Sequence, residues 1–111
     1  MIKKGFVYYK DILAGEITEA EDGFHFNYYN EYLNLPDAEP ISLTMPFHKN
    51  PFQSDNLFPF FDGLIPEGWL LDIALKNWKL NERDRMELLL KCCKDNIGAV
   101  SVIPESNKTE L

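Results

Sequence analysis

Apolar and polar residues change rhythm halfway along this chain. Residues 5–9, GFVYY, are rich in β-branched and aromatic side chains and predict a strand. Gly15 predicts a turn, with Ile17 in a short second strand. Asp22-Gly23 is the strongest hairpin signal. After it Phe24, Phe26 and Tyr28 alternate with His25 and Asn27, which places the aromatics on one face of a strand. The first third of the chain therefore predicts an antiparallel meander with one buried face. Pro36, Pro40 and Pro46 bracket a short extended piece, Ile41 to Met45, that suits an edge or a connector. Residues 48–57 predict an exposed loop.

From residue 66 onward the period becomes helical. Pro66 suits the first position of a helix, and Glu67 complements the positive end of its dipole. The stretch EGWLLDIALKNWKL predicts about three turns. Asn81 predicts the cap of a second helix running to about Lys94, with Asp84 in its first turn. Gly98 closes a turn, and AVSVI reads as a final strand. Strands, two helices and a strand predict an α+β fold: a small, mostly antiparallel sheet with two main helices packed on one face. One domain over residues 1–111 is expected from the length.

A helical wheel separates the two tryptophans. At about 100° per residue from Trp69, the residues Leu70, Leu71, Ala74, Leu75 and Trp78 gather into one stripe that should face the core. Trp69 lies opposite that stripe, with Ile73 beside it and Asp72 and Lys76 flanking. Glycine at 68, in the predicted first turn, costs about 1 kcal/mol against alanine, so backbone conformation or a close approach must require it. An outward tryptophan beside a bare backbone suits a binding hot spot. Packing of Trp69 under its own loop, against Phe58, Phe60 or Phe61, is the structural alternative. The proposed partner surface is Phe61, Asp62, Gly63, Pro66, Glu67, Gly68, Trp69 and Ile73. In the second helix Met86, Leu89, Leu90 and Cys93 form one stripe, while Leu88 and Cys92 lie nearly opposite. Such a helix is either sandwiched within the fold or shared with a neighbour; sharing is slightly favoured.

Charge and chemistry narrow the function. A net charge of −7 opposes binding to a phosphate backbone, so no direct nucleic-acid partner is expected. There is no apolar run of membrane-spanning length and no signal-peptide pattern, and a cytoplasmic protein is the expectation. Cys92 and Cys93 are adjacent and offer no zinc-ligand spacing with His25 or His48, so both are expected to be reduced and packed as small apolar side chains. Asp62 and Glu67 flank a turn and are read as capping groups rather than metal ligands. Neither histidine has a nucleophile nearby in sequence, and no phosphate-binding loop or kinase catalytic motif is present. A binding protein without cofactor, metal or catalytic residues is expected.

Three segments in order, PISLTMPF, FFDGLIPEGW and DNIGAVSVIP, resemble the N-terminal subdomain of HipA-type toxin kinases. That family shows a proline-bounded extended segment, an aromatic residue before a turn like LLPEG, and a terminal strand opened by glycine and alanine. The matching positions are Ile41 to Phe47, Phe60 to Gly68 and Gly98 to Pro104. The catalytic positions of such a kinase have no counterpart in these 111 residues, so none carries over. The resemblance implies a HipS-like protein of a HipBST-type toxin–antitoxin system, which binds a HipT-like kinase toxin and restrains it. A helix-turn-helix protein would handle DNA and meet this chain only indirectly, in a ternary complex. The alternatives are a regulatory subdomain excised or truncated from a HipA-type kinase, and an adaptor domain.

Overall fold

The computed structural model describes residues 3–68, 72, 73, 76, 83–93 and 98–105. Five strands form one antiparallel sheet in the order β4-β3-β2-β1-β5. They are β1 (Lys3–Tyr9), β2 (Ile12–Ala20), β3 (Gly23–Tyr28), β4 (Phe52–Ser54) and β5 (Val100–Pro104). Three helices accompany them among the described residues: α1 (Asn30–Leu33), α2 (Pro59–Asp62) and α3 (Arg85–Cys92). Asp72, Ile73 and Lys76 are also helical. The α+β class read from the sequence is the observed one.

Cross-strand register builds the core in rows. Phe52, Phe26, Ile17, Gly5 and Pro104 stand opposite one another across all five strands. A second row runs through Tyr28, Gly15, Val7 and Val102. Residues opposite each other share a face, and Phe26, Ile17, Val7 and Val102 are fully buried. The helix α3 lies over this face. A Cβ on Gly5 would come within 2.6 Å of Leu90 Cδ2 and 2.8 Å of Val102 Cγ1, so the glycine makes the room that Leu90 fills. The other face carries Asn27, Glu16, Phe6 and Ile103 in one row, all half-buried.

The β1–β2 hairpin differs from the sequence expectation. Gly15 lies inside β2, and the turn is at Lys10 and Asp11, whose φ values are 50° and 68°. Two residues at positive φ make the tight hairpin turn that matches strand twist, and aspartate tolerates that conformation better than most residues. Gly15 serves spacing instead: a Cβ there would stand 2.2 Å from the carbonyl oxygen of Asn27. Next to it Ala14 is an extra residue, because Val7 pairs with Gly15 while Tyr8 pairs with Leu13. This β-bulge lets the Ala14 carbonyl accept from Tyr29 N–H at 2.9 Å.

Three further expectations change. Residues 48–57 contain the short edge strand β4 and the buried Leu57, since Phe52 pairs with Phe26 and covers it. The second helix begins after Asp84, whose side chain accepts from Glu87 N–H at 3.0 Å, so Asp84 takes the capping role assigned to Asn81; Asn81 and Lys94 lie outside the described residues. Leu88 is fully buried along with Met86, Leu89 and Cys93, so this helix is sandwiched within the fold rather than shared with a neighbour. The stripe Leu70, Leu71, Ala74, Leu75 and Trp78, and Trp69 itself, lie outside the described residues.

The edge strand β5 is stopped by its own fold. Val102 N–H turns away from β1 and donates to the Cys93 carbonyl at 2.9 Å. Backbone groups alternate in direction along a strand, so Val100 and Pro104 also face outward, and Pro104 has no N–H to offer.

Candidate functional site

The segment from Phe58 to Gly68 is a rigid turn fixed from below. Pro59 opens α2 at a position where a missing N–H costs nothing. Two residues later Phe61 is fully buried, with its ring 5.4 Å from Phe26 and 5.3 Å from Phe60. The chain then tightens: Leu64 N–H donates to Phe61 O at 3.0 Å and Ile65 N–H to Asp62 O at 3.2 Å. Ile65 is buried beside them, and the Cys93 thiol donates to the Leu64 carbonyl at 3.3 Å. Burial pushes the Cys93 thiol up to about 12, so it remains a neutral donor. Two buried side chains and a thiol from the residue that ends α3 thus hold the turn against the core.

The outer side of the same turn is polar and exposed. Asp62 accepts from Arg85 Nε at 2.6 Å, which joins α2 to the start of α3. Pro66 is half-buried, while Gly63, Glu67 and Gly68 are exposed. Pro66 and Glu67 precede the helical residues rather than starting the helix: Gly68 has a φ of 64°, and its carbonyl accepts from Asp72 N–H at 3.1 Å. Gly68 therefore occupies the capping position in a left-handed conformation that few residues other than glycine adopt. Nothing lies within 4 Å of a Cβ placed there, so conformation, not close approach, accounts for this glycine. Asp72, Ile73 and Lys76 are exposed, as their place on the wheel requires, with Ile73 at 43%.

Of the eight residues proposed from sequence, Gly63, Glu67, Gly68 and Ile73 are exposed, and Asp62 and Pro66 are half-buried. Phe61 is a correction. Its side chain is fully buried in the aromatic cluster and supports the turn from inside, so it presents nothing to a partner. Trp69 lies outside the described residues.

A broad cleft of about 690 Å³ opens beside Asp62. Phe24, Leu57 and Pro59 give it an apolar floor, and Asp62, Asp84, Arg83 and Arg85 give it charge. Lys3 Nζ bonds Asp84 at 2.6 Å and approaches Glu87 at 3.7 Å. Partial burial works against the charged Asp84, but its hydrogen bonds from Lys3 and from Glu87 N–H outweigh that and hold the carboxyl below its usual range.

A second exposed feature was not legible in sequence. Tyr28 reaches across to the Ile41–Met45 segment, where its hydroxyl accepts from Ile41 N–H at 3.0 Å and donates to the Met45 carbonyl. Ile41 and Met45 are buried, and between them Leu43 stands 99% exposed, more than any other large apolar side chain among the described residues. The proline bracket gave the connector, but only the long-range tyrosine contact fixes which way the leucine points.

Fold and segment together define a small α+β domain that presents rigid, solvent-facing turns. The sequence profile of the HipA N-terminal domain matches residues 6–103, and the chain belongs to that family. A protein of Haemophilus influenzae described as uncharacterised is 34% identical over 105 residues, covering 95% of both chains. The putative kinase Y4mE of Sinorhizobium fredii is 25% identical over 103 residues; the match covers 92% of this chain and 24% of that kinase. A solved structure, the N-terminal domain of HipA toxin, superposes with a TM-score of 0.69 at 32% identity over 96% of each chain. Among the described residues no helix is long and apolar enough to cross a membrane, and no group of three or more His, Cys, Asp or Glu side chains could hold a metal ion.

Proposed function

We propose that this chain is an antitoxin-like, cytoplasmic binding protein, a single domain without catalytic activity of its own, that docks on a HipA-family Ser/Thr kinase toxin and restrains it. One observation carries the reading. The same domain makes up 95% of a relative of similar length and 24% of a much longer putative kinase, so it occurs both apart from a kinase-sized chain and within one. A domain that packs beside a kinase in one polypeptide is suited to the same contact from a separate one. The contact surface in this proposal is the outer side of the 62–73 segment. Trp69 and Ile73 supply apolar anchors, and Asp62, Gly63, Pro66, Glu67 and Gly68 form the rim. Any helix-turn-helix DNA-binding protein would be met indirectly, through the kinase.

Co-expression with a kinase gene encoded beside this one tests the proposal. Co-purification and rescue of growth are expected, with no phosphorylation by this chain alone. Trp69→Ala should leave folding within about 1 kcal/mol of the wild type, yet weaken kinase binding by about 2 kcal/mol, roughly thirtyfold. Trp78→Ala should reduce the melting temperature first. If Trp69→Ala melts as badly as Trp78→Ala, the tryptophan is core and the anchor assignment fails. The kinase relative favours one other reading, a regulatory subdomain that acts only when fused to its kinase. An in-frame fusion at the locus, with no growth rescue by the separate domain, would establish that instead.

A further inference from the structure

Away from the 62–73 segment, a pocket of about 230 Å³ lies between the β1–β2 turn and the loop after α1. Its walls are largely aromatic and aliphatic: Tyr9, Tyr32 and Ala38. Tyr32 is fixed there, since its hydroxyl donates to the Glu39 carbonyl at 2.7 Å and accepts from Glu39 N–H at 3.3 Å. Three charged residues line the same pocket: Asp37, Glu39 and Lys10. Two acids and one base leave it net negative.

Lys10 shows what the pocket's chemistry accommodates. Its Nζ lies 5.5 Å from the Tyr9 ring centroid and 3.2 Å from Glu39 Oε1. A cation over an aromatic face with a carboxylate beside it is a favourable pairing. The backbone that carries Lys10 is rigid, held at a φ of 50° with its N–H donating to Ala99 O at 2.8 Å. The side chain itself is 62% exposed, so it can swing out into water and leave the position to another cation.

We propose that this pocket is a receptor for a basic side chain, arginine or lysine, presented by a protein partner that displaces Lys10. The methylene stem would run along Tyr9, Tyr32 and Ala38, and the charged head would meet Glu39 and Asp37. Arginine fits better than lysine, because a guanidinium stacks on an aromatic ring and bonds a carboxylate through a planar fork. A protein, rather than a free amine, is indicated by Ile12 and Leu35. They line the pocket while 48% and 42% exposed, and only something larger than the pocket would cover them. The chain's net charge of −7 favours a basic partner in the same sense.

The test is an NMR titration of the full chain with a blocked tripeptide, acetyl-Ala-Arg-Ala-amide. Matched probes are the norleucine peptide and free agmatine. The arginine peptide should shift the amides of residues 9–12, 35 and 37–39, and bind about fivefold more tightly than either control. Glu39→Gln should weaken it by about fivefold, whereas Lys10→Ala should strengthen it. Native spectral dispersion in both variants establishes that they fold. The proposal falls if the norleucine peptide binds equally well, since the pocket is then merely apolar. Agmatine binding as tightly as the peptide would make it a small-amine site, not a docking site. Weaker binding by Lys10→Ala, or no shift at millimolar peptide, would equally overturn it. No kinase enters this experiment, so its failure leaves the proposed kinase contact untouched.

Discussion

Replacing Tyr28 by phenylalanine removes one oxygen and takes a partner from two backbone groups at once. In the wild type that oxygen accepts from Ile41 N–H at 3.0 Å and donates to the Met45 carbonyl. The ring stays where it was, packed edge-on against Phe26 at 4.9 Å and Phe47 at 5.2 Å, so no cavity opens. The cost is then that of hydrogen bonds alone. Each is worth about 1 kcal/mol net, and a buried group left unsatisfied costs about 1–3 kcal/mol. Ile41 and Met45 are buried while Leu43 and Thr44 between them are exposed, so the turn can move partway into water. A loss of about 2 kcal/mol is expected, and a drop in melting temperature of about 8 °C for a domain of this size. Urea unfolding should show a lower midpoint at unchanged slope, and hydrogen exchange at the Ile41 amide should accelerate. The effect also has a pH signature. Burial raises the Tyr28 phenol from 10.0 to about 12. A raised value means that the folded state favours the neutral phenol, so this stabilisation is complete below pH 10 and lost as pH climbs through about 12. Tyr28→Phe lacks that loss, and the gap between the two proteins should narrow over this range. A change below about 0.5 kcal/mol at neutral pH, with Ile41 still protected, would refute the tie between Tyr28 and the turn.

Asp84→Ala should cost about 1 kcal/mol by removing the cap of α3, and Asp84→Asn less, because the amide oxygen still caps while the Lys3 ion pair is lost. Since the folded Asp84 titrates below its ordinary value of 3.8, its contribution is complete above that value and disappears as pH falls through the lower folded one; an acid unfolding curve for Asp84→Asn should lack that component. Gly68→Ala should destabilise by about 1 kcal/mol through its φ of 64°, and Gly68→Asn by less, with urea melts as the measure; equal effects would point to steric crowding instead.

The sheet was readable because strand signals are local. The alternation of Phe24, Phe26 and Tyr28 and the Asp22-Gly23 hairpin signal need no information from elsewhere in the chain. Gly15 misled because a glycine can serve either a turn or a close approach, and only the position of the Asn27 carbonyl decides between them. Phe61 misled in a similar way. Phe60 and Asp62 on either side of it are only half-buried, but a single turn of helix buries every third or fourth side chain, and Phe26 lies on that side. The outer turn at residues 62–68 was legible from its proline and glycines. The pocket at Tyr9 and Tyr32 was not, because it joins a hairpin to a loop more than twenty residues away.

The stopped edge at β5 has a consequence for assembly. Over its five residues that edge turns out three backbone positions; among the described residues Val102 is already engaged by Cys93, and Pro104 has no hydrogen to give. At the opposite edge, β4 is only three residues long. Neither side offers the long unpaired ladder on which a foreign strand, or another copy of this chain, could zip. The contact proposed above uses side chains on a turn instead, where one substitution can alter it without disturbing the sheet behind. That is a suitable construction for a module found both free-standing and inside a longer polypeptide.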